Sequence, residues 1–230
     1  MLTTKDDILV IIPVYNEATH IESLAGLIQG QGFKQICIIN DGSTDNIEEI
    51  LFEAPTIMLH HIINRGVGAA TDTGFRYAIL NKFNAVITID ADMQHDAKDL
   101  DVLFDSYLES NADIIIGSRF LKLDNKIPKI RHVYNKIANL LVFAFSNRWI
   151  TDTQSGYKFI TKKALENIQL KTDGYEFCSE FIIKALQQNF KIQEVPIHVY
   201  YTDYSMKKGQ SLVNGYRTMI SLFSNIFFKD

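Results

Sequence analysis

Two short runs, one wholly apolar and one apolar except for a single threonine, constrain the fold of this chain more than any other feature. Residues 8–12 read Ile-Leu-Val-Ile-Ile, and residues 85–89 read Ala-Val-Ile-Thr-Ile. A strand with one face in water alternates apolar and polar residues, which these runs do not, so both are predicted to be strands buried on both faces. Strands of this kind belong to sheets that carry helices on both sides, and segments with helical spacing do lie between them.

The elements predicted along the first half of the chain alternate between strand and helix. Strands are predicted at 8–12, 35–39, 56–60, 85–89 and 113–116, and helices at 17–29, from a cap at Ser43 or Thr44 to residue 51, at 68–82 and at 96–108. This order predicts an α/β fold with a mostly parallel central sheet flanked by helices and joined by right-handed crossovers. The alternation breaks after Gly117.

The second half is predicted to be less regular. A basic loop at 120–131 leads to a strongly apolar helix at 133–145, for which core packing is the simplest interpretation, then to a helix at 175–188 and a late strand at 193–201. Apolar residues recur with helical spacing again between 212 and 228, which predicts an amphipathic helix. We expect a domain at 1–211, with 212–230 as an amphipathic C-terminal helix that belongs to the same domain or contacts a membrane or partner.

Composition and charge narrow the class of protein. Apolar residues make up 47% of the chain, which is enough for a large core, and the two cysteines lie far apart, as in a reduced intracellular protein. The net charge is −4, yet residues 119–136 carry six basic side chains against one acidic one, and residues 205–230 carry four against one. These patches favour an anionic partner, with a solvated surface as the plainer alternative. No nucleic-acid partner is expected.

The most informative polar residues follow the strand at 85–89. Asp90 and Asp92 come one residue apart at its end, and Gln94 follows them. Carboxylates and a side-chain carbonyl suit a hard divalent cation such as Mg²⁺ or Mn²⁺, and ligands of open α/β sheets bind at the carboxyl ends of the strands. The pattern therefore predicts a metal site that also meets a diphosphate.

Two further strand ends carry acidic residues. Glu17 follows the first strand and Asp41 the second, so that both are predicted to share one crevice with the Asp90 pair and to accept hydrogen bonds from a nucleobase or ribose. Residues 64–70 open the third helix, and their small side chains and free backbone amides are expected to meet phosphate or ribose. No histidine is assigned a role, because His60, His61 and His95 lack a metal-binding spacing.

Several motifs recur in the order found in a known family. They are Pro13-Val14-Tyr15-Asn16-Glu17, Asn40-Asp41-Gly42-Ser43-Thr44-Asp45, Asn64-x-Gly66-x-Gly68-Ala69, Asp90-Ala91-Asp92 with Gln94, Gly117-Ser118-Arg119, Asp152-x-x-Ser155-Gly156-Tyr157, Tyr175-Glu176-Phe177 with Glu180, and Glu194-Val195-Pro196. The set resembles family 2 glycosyltransferases, in the branch of dolichyl-phosphate mannosyltransferase and the bacterial polyprenyl-phosphate glycosyltransferases. The resemblance implies a GT-A fold, a nucleotide-sugar donor, a divalent cation, inversion at the anomeric carbon and a C-terminal helical region that faces the acceptor and the membrane.

The resemblance also implies roles for individual residues. The donor nucleotide is assigned to Pro13, Tyr15, Glu17, Asp41, Asn64, Gly66 and Gly68; the metal and diphosphate to Asp90, Asp92 and Gln94; and the acceptor phosphate to Arg119 and Arg131. Lys207, which the resemblance does not supply, is predicted to join them. The chain departs from the branch in its C-terminal basic loop, where Met206 and Leu212 replace an arginine and a lysine. Lys207 and Lys208 are expected to supply the missing charge from shifted positions.

The acceptor decides which chemistry the site needs. A phosphate monoester is already an anionic nucleophile, whereas a sugar hydroxyl requires a carboxylate base. Asp152 and Glu180 could be that base, but both are expected to be structural, which favours a polyprenyl-phosphate acceptor. Three alternatives stay open: a polysaccharide glycosyltransferase with a hydroxyl acceptor, a non-catalytic subunit that binds nucleotide sugars, and a nucleotidyltransferase.

A lipid-phosphate acceptor lies at a bilayer, yet no segment offers the roughly 20 apolar residues of a spanning helix. We therefore expect the protein to be cytoplasmic and peripheral, at the cytoplasmic face of a membrane. Its membrane contact would be a bilayer surface or a small membrane-anchor protein, with residues 212–228 as the leading candidate.

Overall fold

A computed structural model of the protein describes residues 4–50, 56–121 and 124–201. Its centre is a seven-stranded sheet with the order β3-β2-β1-β4-β6-β5-β7. The strands are β1 (Ile8–Val14), β2 (Gln35–Asn40), β3 (Ile57–His60), β4 (Ala85–Thr88), β5 (Ile114–Ser118), β6 (Lys158–Thr161) and β7 (Ile192–Pro196). β6 is antiparallel to both of its neighbours, and the other pairings are parallel, so the prediction of a mostly parallel sheet is confirmed.

Helices cover both faces of this sheet. They are α1 (Ala18–Gly30), α2 (Ile47–Ile50), α3 (Val67–Leu80), α4 (Asp99–Ser110), α5 (Lys129–Ser146), α6 (Lys162–Asn167) and α7 (Phe177–Gln187). Alternate residues of β1 enter opposite cores: Val10 and Ile12 pack with α1 and α4, whereas Ile11 packs with α3 and α7. The unbroken apolar run therefore has the cause predicted from sequence, since both of its faces are buried.

Two local predictions are wrong, and two short elements were missed. The first strand does not end at residue 12 as predicted; Pro13 lies within β1 and is paired with Ile39 of β2. Neither Ser43 nor Thr44 caps α2, which begins at Ile47, and Asp45 instead accepts a hydrogen bond from the Ala18 backbone N–H at 2.9 Å, at the start of α1. The short elements β6 and α6 were not predicted, because a single turn or four residues leave too little periodicity to detect.

The apolar helix α5 does not pack in the core along its whole length. Its buried residues are Asn135, Asn139 and Val142, whereas several of its apolar side chains are exposed to solvent. The exposed set is Ile130, Val133, Ile137, Leu140 and Phe143. Core packing, the plain interpretation of this run, therefore does not apply to this stripe of the helix.

The predicted tail helix at 212–228 lies outside the described residues, and so does Lys207. The proposed domain boundary at 211 stays a prediction for the same reason. In the ranges that the structure describes, none of the helices combines the length and the hydropathy needed to cross a bilayer.

Candidate functional site

The carboxyl ends of β2, β1 and β4, which are neighbours in the sheet, open into a cavity of about 790 Å³. Most of the residues that sequence assigns to the site line this cavity: Pro13, Tyr15, Glu17, Asp41, Asn64, Gly66, Asp90, Asp92, Gln94, Arg119 and Arg131. Gly68 does not line it. The three strand ends therefore converge as expected for parallel neighbours.

Asp90 and Asp92 form the acidic side of the cavity. Burial raises the pKa of Asp90, against the opposing charges of Lys158 and Arg119. Burial also raises the pKa of Asp92, and the charge of Asp90 raises it further. The Gln94 backbone N–H donates to Asp92 Oδ1 at 3.1 Å, and its side-chain amide donates to Asp92 Oδ2. Two carboxylates that resist ionisation so close together would be stabilised by a cation between them.

The donor set fits a hard divalent cation. Gly156 leaves the space that the Asp90 carboxylate occupies, since a Cβ at that position would lie 2.6 Å from Asp90 Oδ2. Within the described ranges, no three His, Cys, Asp or Glu side chains are grouped as in an all-protein metal site. Mg²⁺ commonly binds through one or two carboxylates and completes its shell with water and substrate phosphates. Asp90, Asp92 and the Gln94 carbonyl are the residues that would hold such an ion.

Asp41 organises the loop on the other side of the cavity. Its Oδ1 accepts hydrogen bonds from His61 Nδ1 at 2.6 Å and from the Arg65 backbone N–H at 3.0 Å, and its Oδ2 accepts one from the Gly66 N–H at 2.8 Å. The amides of Arg65 and Gly66 are therefore engaged by a protein carboxylate. The expectation that the amides of this loop are free for phosphate is wrong at these two positions.

The backbone amides at the start of α3 are likewise bonded within the protein. The backbone N–H groups of Gly68 and Ala69 donate to the Asp173 carbonyl at 2.8 and 3.2 Å. A Cβ on Gly68 would lie 2.5 Å from the Thr172 carbonyl oxygen. Gly68 is thus needed for close packing between α3 and the loop before α7, and it is not a ligand-facing residue.

Arg119, which follows β5 and lines the cavity, is held by a buried carboxylate. Its Nε and Nη2 donate to the two oxygens of Asp152, each at 2.7 Å, and its backbone N–H donates to the same side chain at 3.1 Å. Glu194 fixes this segment by accepting hydrogen bonds from the backbone N–H groups of Thr151 and Asp152. Asp152 therefore uses two of the five guanidinium N–H donors, which leaves donors of the same group for a ligand.

Arg131 provides a second cation in the cavity wall. It belongs to the first turn of α5, and its guanidinium lies 5.9 Å from the centre of the Tyr201 ring. No carboxylate of the described residues forms an ion pair with it within 4.0 Å. Arg119 and Arg131 thus bring two positive charges to the cavity that also holds the Asp90 pair.

The two carboxylates considered as general bases have structural roles. Asp152 is fully buried against Arg119. Glu180 accepts hydrogen bonds from the backbone N–H groups of Lys171 and Thr172 at 2.8 and 3.0 Å, from the Thr172 hydroxyl and from Lys184. The prediction that both are structural is supported by these partners.

Several residues of the cavity wall were not predicted from the sequence. His95 lines it with both ring nitrogens buried and without a hydrogen-bond partner among the described residues, and burial lowers its pKa to about 4. Asn135 leaves its Oδ1 similarly unpaired within the described ranges, while its Nδ2 donates to the Thr151 carbonyl at 2.7 Å. Tyr175 also lines the cavity. Two of the three had a signal in the sequence: His95 stands beside Gln94, and Tyr175 opens the Tyr175-Glu176-Phe177 motif, although neither was assigned a role.

Comparisons with known proteins agree with this geometry. The model of the family described as glycosyl transferase family 2 matches residues 9–169. The UDP-N-acetylglucosamine–dolichyl-phosphate N-acetylglucosaminyltransferase of Methanococcus voltae is 31% identical over 236 residues, which cover 94% of each chain. The polyprenol monophosphomannose synthase of Mycolicibacterium smegmatis is 29% identical over 82% of this chain and 76% of that protein.

A solved structure supports the fold. Glucosyl-3-phosphoglycerate synthase of Mycobacterium tuberculosis, in complex with Mn²⁺, uridine diphosphate and glucosyl-3-phosphoglycerate, superposes with a TM-score of 0.73. The alignment covers 97% of this chain and 81% of that one at 16% identity. At that identity the likeness concerns the fold, and it confirms the predicted GT-A architecture.

Proposed function

The chain belongs to glycosyl transferase family 2, and from this premise we propose that it transfers a sugar from a nucleotide-sugar donor to a polyprenyl phosphate with inversion at the anomeric carbon. The donor would occupy the side of the cavity formed by Tyr15, Glu17 and Asp41, with its diphosphate next to Asp90 and Asp92. Relatives named for dolichyl-phosphate and polyprenol substrates support this choice of acceptor.

One observation carries the proposal: two carboxylates, Asp90 and Asp92, and two guanidinium groups, Arg119 and Arg131, line the same cavity. Asp90 and Asp92 suit a divalent cation, Mg²⁺ or Mn²⁺, which when bound offsets charge on the leaving diphosphate. Arg119 and Arg131 suit a second anion, distinct from the diphosphate. A donor and an acceptor that both carry phosphate would need both kinds of group.

The reaction requires orientation more than proton transfer. An oxygen of the acceptor phosphate attacks the anomeric carbon, the bond from that carbon to the diphosphate breaks, and the nucleoside diphosphate leaves with the electron pair. Arg119 would hold the attacking phosphate, because Asp152 already fixes its guanidinium and little ordering remains to be done on binding. Lys207 is proposed to add charge from outside the described residues.

The carboxylates argue against a hydroxyl acceptor. A sugar hydroxyl would need a base within hydrogen-bonding reach, but Asp152 and Glu180 are engaged by Arg119 and by the loop before α7. A phosphate monoester needs no such base. Because both carboxylates are already engaged by other groups of the protein, a lipid-phosphate acceptor is favoured.

The exposed stripe of α5 supports a peripheral location at a membrane, and we propose that the surface is its cytoplasmic face. Val133 and Leu140 are 53% and 59% exposed, and Trp149 beyond the helix is 52% exposed. Basic residues lie on the same helix, and α5 contains no Asp or Glu. An apolar face flanked by positive charge is typical of helices that lie in an anionic bilayer surface. The alternative membrane contact that we propose is a small membrane-anchor protein.

Ligand-induced stabilisation tests donor binding directly. Thermal unfolding would be measured with uridine and guanosine diphosphates and their sugar derivatives, each with Mn²⁺ or Mg²⁺. A ligand at 100 times its Kd stabilises the folded state by about 2.7 kcal/mol, so a bound donor gives a clear shift. Absence of a shift with every nucleotide and metal would contradict the proposal.

A further inference from the structure

His61 connects two elements of the donor side. It follows β3, and its Nδ1 lies 2.6 Å from Asp41 Oδ1 while its Nε2 lies 2.9 Å from the Thr73 hydroxyl of α3. Its side chain is 9% exposed and that of Asp41 is 4% exposed. The sequence alone gave no reason to assign this histidine a role, since it lacks a metal-binding spacing.

The hydrogen bonds fix the orientation of the imidazole ring. An ionised carboxylate only accepts, so the hydrogen towards Asp41 must be on Nδ1. Nε2 then faces the Thr73 hydroxyl at 2.9 Å, whose single hydrogen is shared between two possible acceptors, Nε2 and the Ala69 carbonyl at 3.0 Å. With a partner on each nitrogen, the ring cannot turn without breaking both contacts.

This ring in turn limits what Asp41 can offer to a ligand. Oδ1 accepts from His61 and from the Arg65 N–H, which fills its two lone pairs, whereas Oδ2 accepts one hydrogen bond from the described residues, that of the Gly66 N–H. Asp41 lines the cavity. One acceptor position, on Oδ2, is therefore left for a donor group of a ligand.

We propose that His61 is a positioning residue for donor binding, which holds Asp41 so that Oδ2 accepts a hydrogen bond from the nucleoside of the donor. The inference rests on the proposed function. The nucleobase N–H groups and the ribose hydroxyls are the groups of a nucleoside diphosphate that can donate to this oxygen, since its phosphates at neutral pH are acceptors.

Three variants separate positioning from folding. His61→Ala removes both contacts, His61→Asn keeps an amide donor near the position of Nδ1, and Thr73→Val removes the partner of Nε2. Thr71→Val is the matched control on the same helix, because the Thr71 hydroxyl also bonds a carbonyl four residues back, at 2.7 Å from Val67. His60→Ala is the second control; His60 is half-exposed and pairs with Glu48 at 3.1 Å.

Calorimetry with the nucleoside diphosphate that wild-type protein binds, in the presence of Mn²⁺, provides the readout. We expect His61→Ala to weaken binding about tenfold, His61→Asn to recover most of that loss, Thr73→Val to lose a smaller part, and both controls to bind like wild type. In steady-state transfer, His61→Ala should raise KM for the donor and leave kcat within a few-fold.

The outcomes distinguish this inference from the proposed function. If wild-type protein binds none of the nucleoside diphosphates, the proposed function fails before His61 is tested. If wild type binds and His61→Ala binds equally well, the inference is wrong. A loss in His61→Ala that matches a drop in its melting temperature and that His61→Asn does not recover would show a purely structural role and also overturn it.

Discussion

Asp152 binds Arg119 through two hydrogen bonds of 2.7 Å, one to each carboxylate oxygen. The side chain of Asp152 is fully buried, whereas that of Arg119 is 13% exposed. A bidentate pair of this kind fixes the plane of the guanidinium as well as its position. The cation at the acceptor side of the cavity is therefore oriented before any ligand arrives. Asp152 is a positioning residue for the group that we assign to the acceptor phosphate.

Asp152→Asn should damage transfer more than donor binding. The amide keeps the shape of the side chain but removes the charge and one acceptor from a buried pair, which costs about 3–5 kcal/mol of stability. Arg119 then loses its fixed plane, and we expect the rate of transfer to fall at least about tenfold. Titration with nucleoside diphosphate should give an unchanged Kd for the folded variant. A weakened Kd with normal transfer would contradict the assignment.

The contact between Arg119 and Asp152 also shows which parts of the structure could be predicted from the sequence and which could not. Local residue types are enough to predict the strand at residues 85–89 and the carboxylates after it. A strand buried on both faces is apolar throughout, and polar residues follow directly where the strand ends. The contact between Arg119 and Asp152 joins residues 33 positions apart. Residue types allow such a pairing, but only the path of the chain between β5 and β6 creates it.

The loop at 64–69 is a place where the prediction from sequence was wrong. Its glycines suggested backbone amides that are free for phosphate, yet the amides are engaged by Asp41 and by the Asp173 carbonyl. Glycine permits a close approach of any group, and the sequence does not reveal whether that group is a ligand or another part of the backbone. The exposed stripe of α5 was misjudged for a similar reason, since apolar spacing is the same for a core and for an exposed contact.

Asp92→Asn should stabilise the metal-free protein at neutral pH while abolishing most transfer. Burial and the charge of Asp90 raise the pKa of Asp92 above its ordinary value of 3.8. The folded state then holds the proton more tightly than the unfolded state, so the free energy of unfolding falls as pH rises through the window between the two pKa values. Asparagine carries no ionisable proton and therefore removes that penalty.

Thermal unfolding across a pH series checks this sign. The advantage of Asp92→Asn should be present at neutral pH and vanish in acid, below the ordinary aspartate pKa. Mn²⁺ should raise the melting temperature of wild type and have little effect on the variant. Equal stabilisation of both proteins by Mn²⁺ would place the metal elsewhere.

Gly156→Ala should disturb Asp90 directly. The added methyl would lie 2.6 Å from Asp90 Oδ2, so the carboxylate must move. Overpacking of this kind costs about 1–3 kcal/mol, and a displaced catalytic group can cost roughly 100-fold in rate. Gly26→Ala in α1 is the control, because a Cβ added there would meet no atom of the described residues within 4 Å. It should be neutral or slightly stabilising, and equal losses in the two variants would refute the Asp90 argument.

Leu140→Glu should weaken binding to vesicles that contain anionic lipid. The side chain is 59% exposed on the apolar stripe of α5, and a carboxylate there adds both polarity and repulsion from the surface. Leu80→Glu changes a side chain that is 80% exposed on α3 and should bind vesicles like wild type. Co-sedimentation measures both, with nucleotide titration as the check on folding. Equal binding by the two variants would remove α5 from the membrane contact.

The acceptor assay tests the central claim most directly. Purified protein would be given its nucleotide sugar and Mn²⁺ with a polyprenyl phosphate, the matching polyprenol or a free oligosaccharide, and the products would be identified by mass spectrometry and anomeric NMR. We predict a polyprenyl-phosphate sugar of inverted configuration, release of nucleoside diphosphate and no reaction with the alcohol. Transfer to the oligosaccharide while the polyprenyl phosphate stays unreacted, or release of pyrophosphate, would contradict the account.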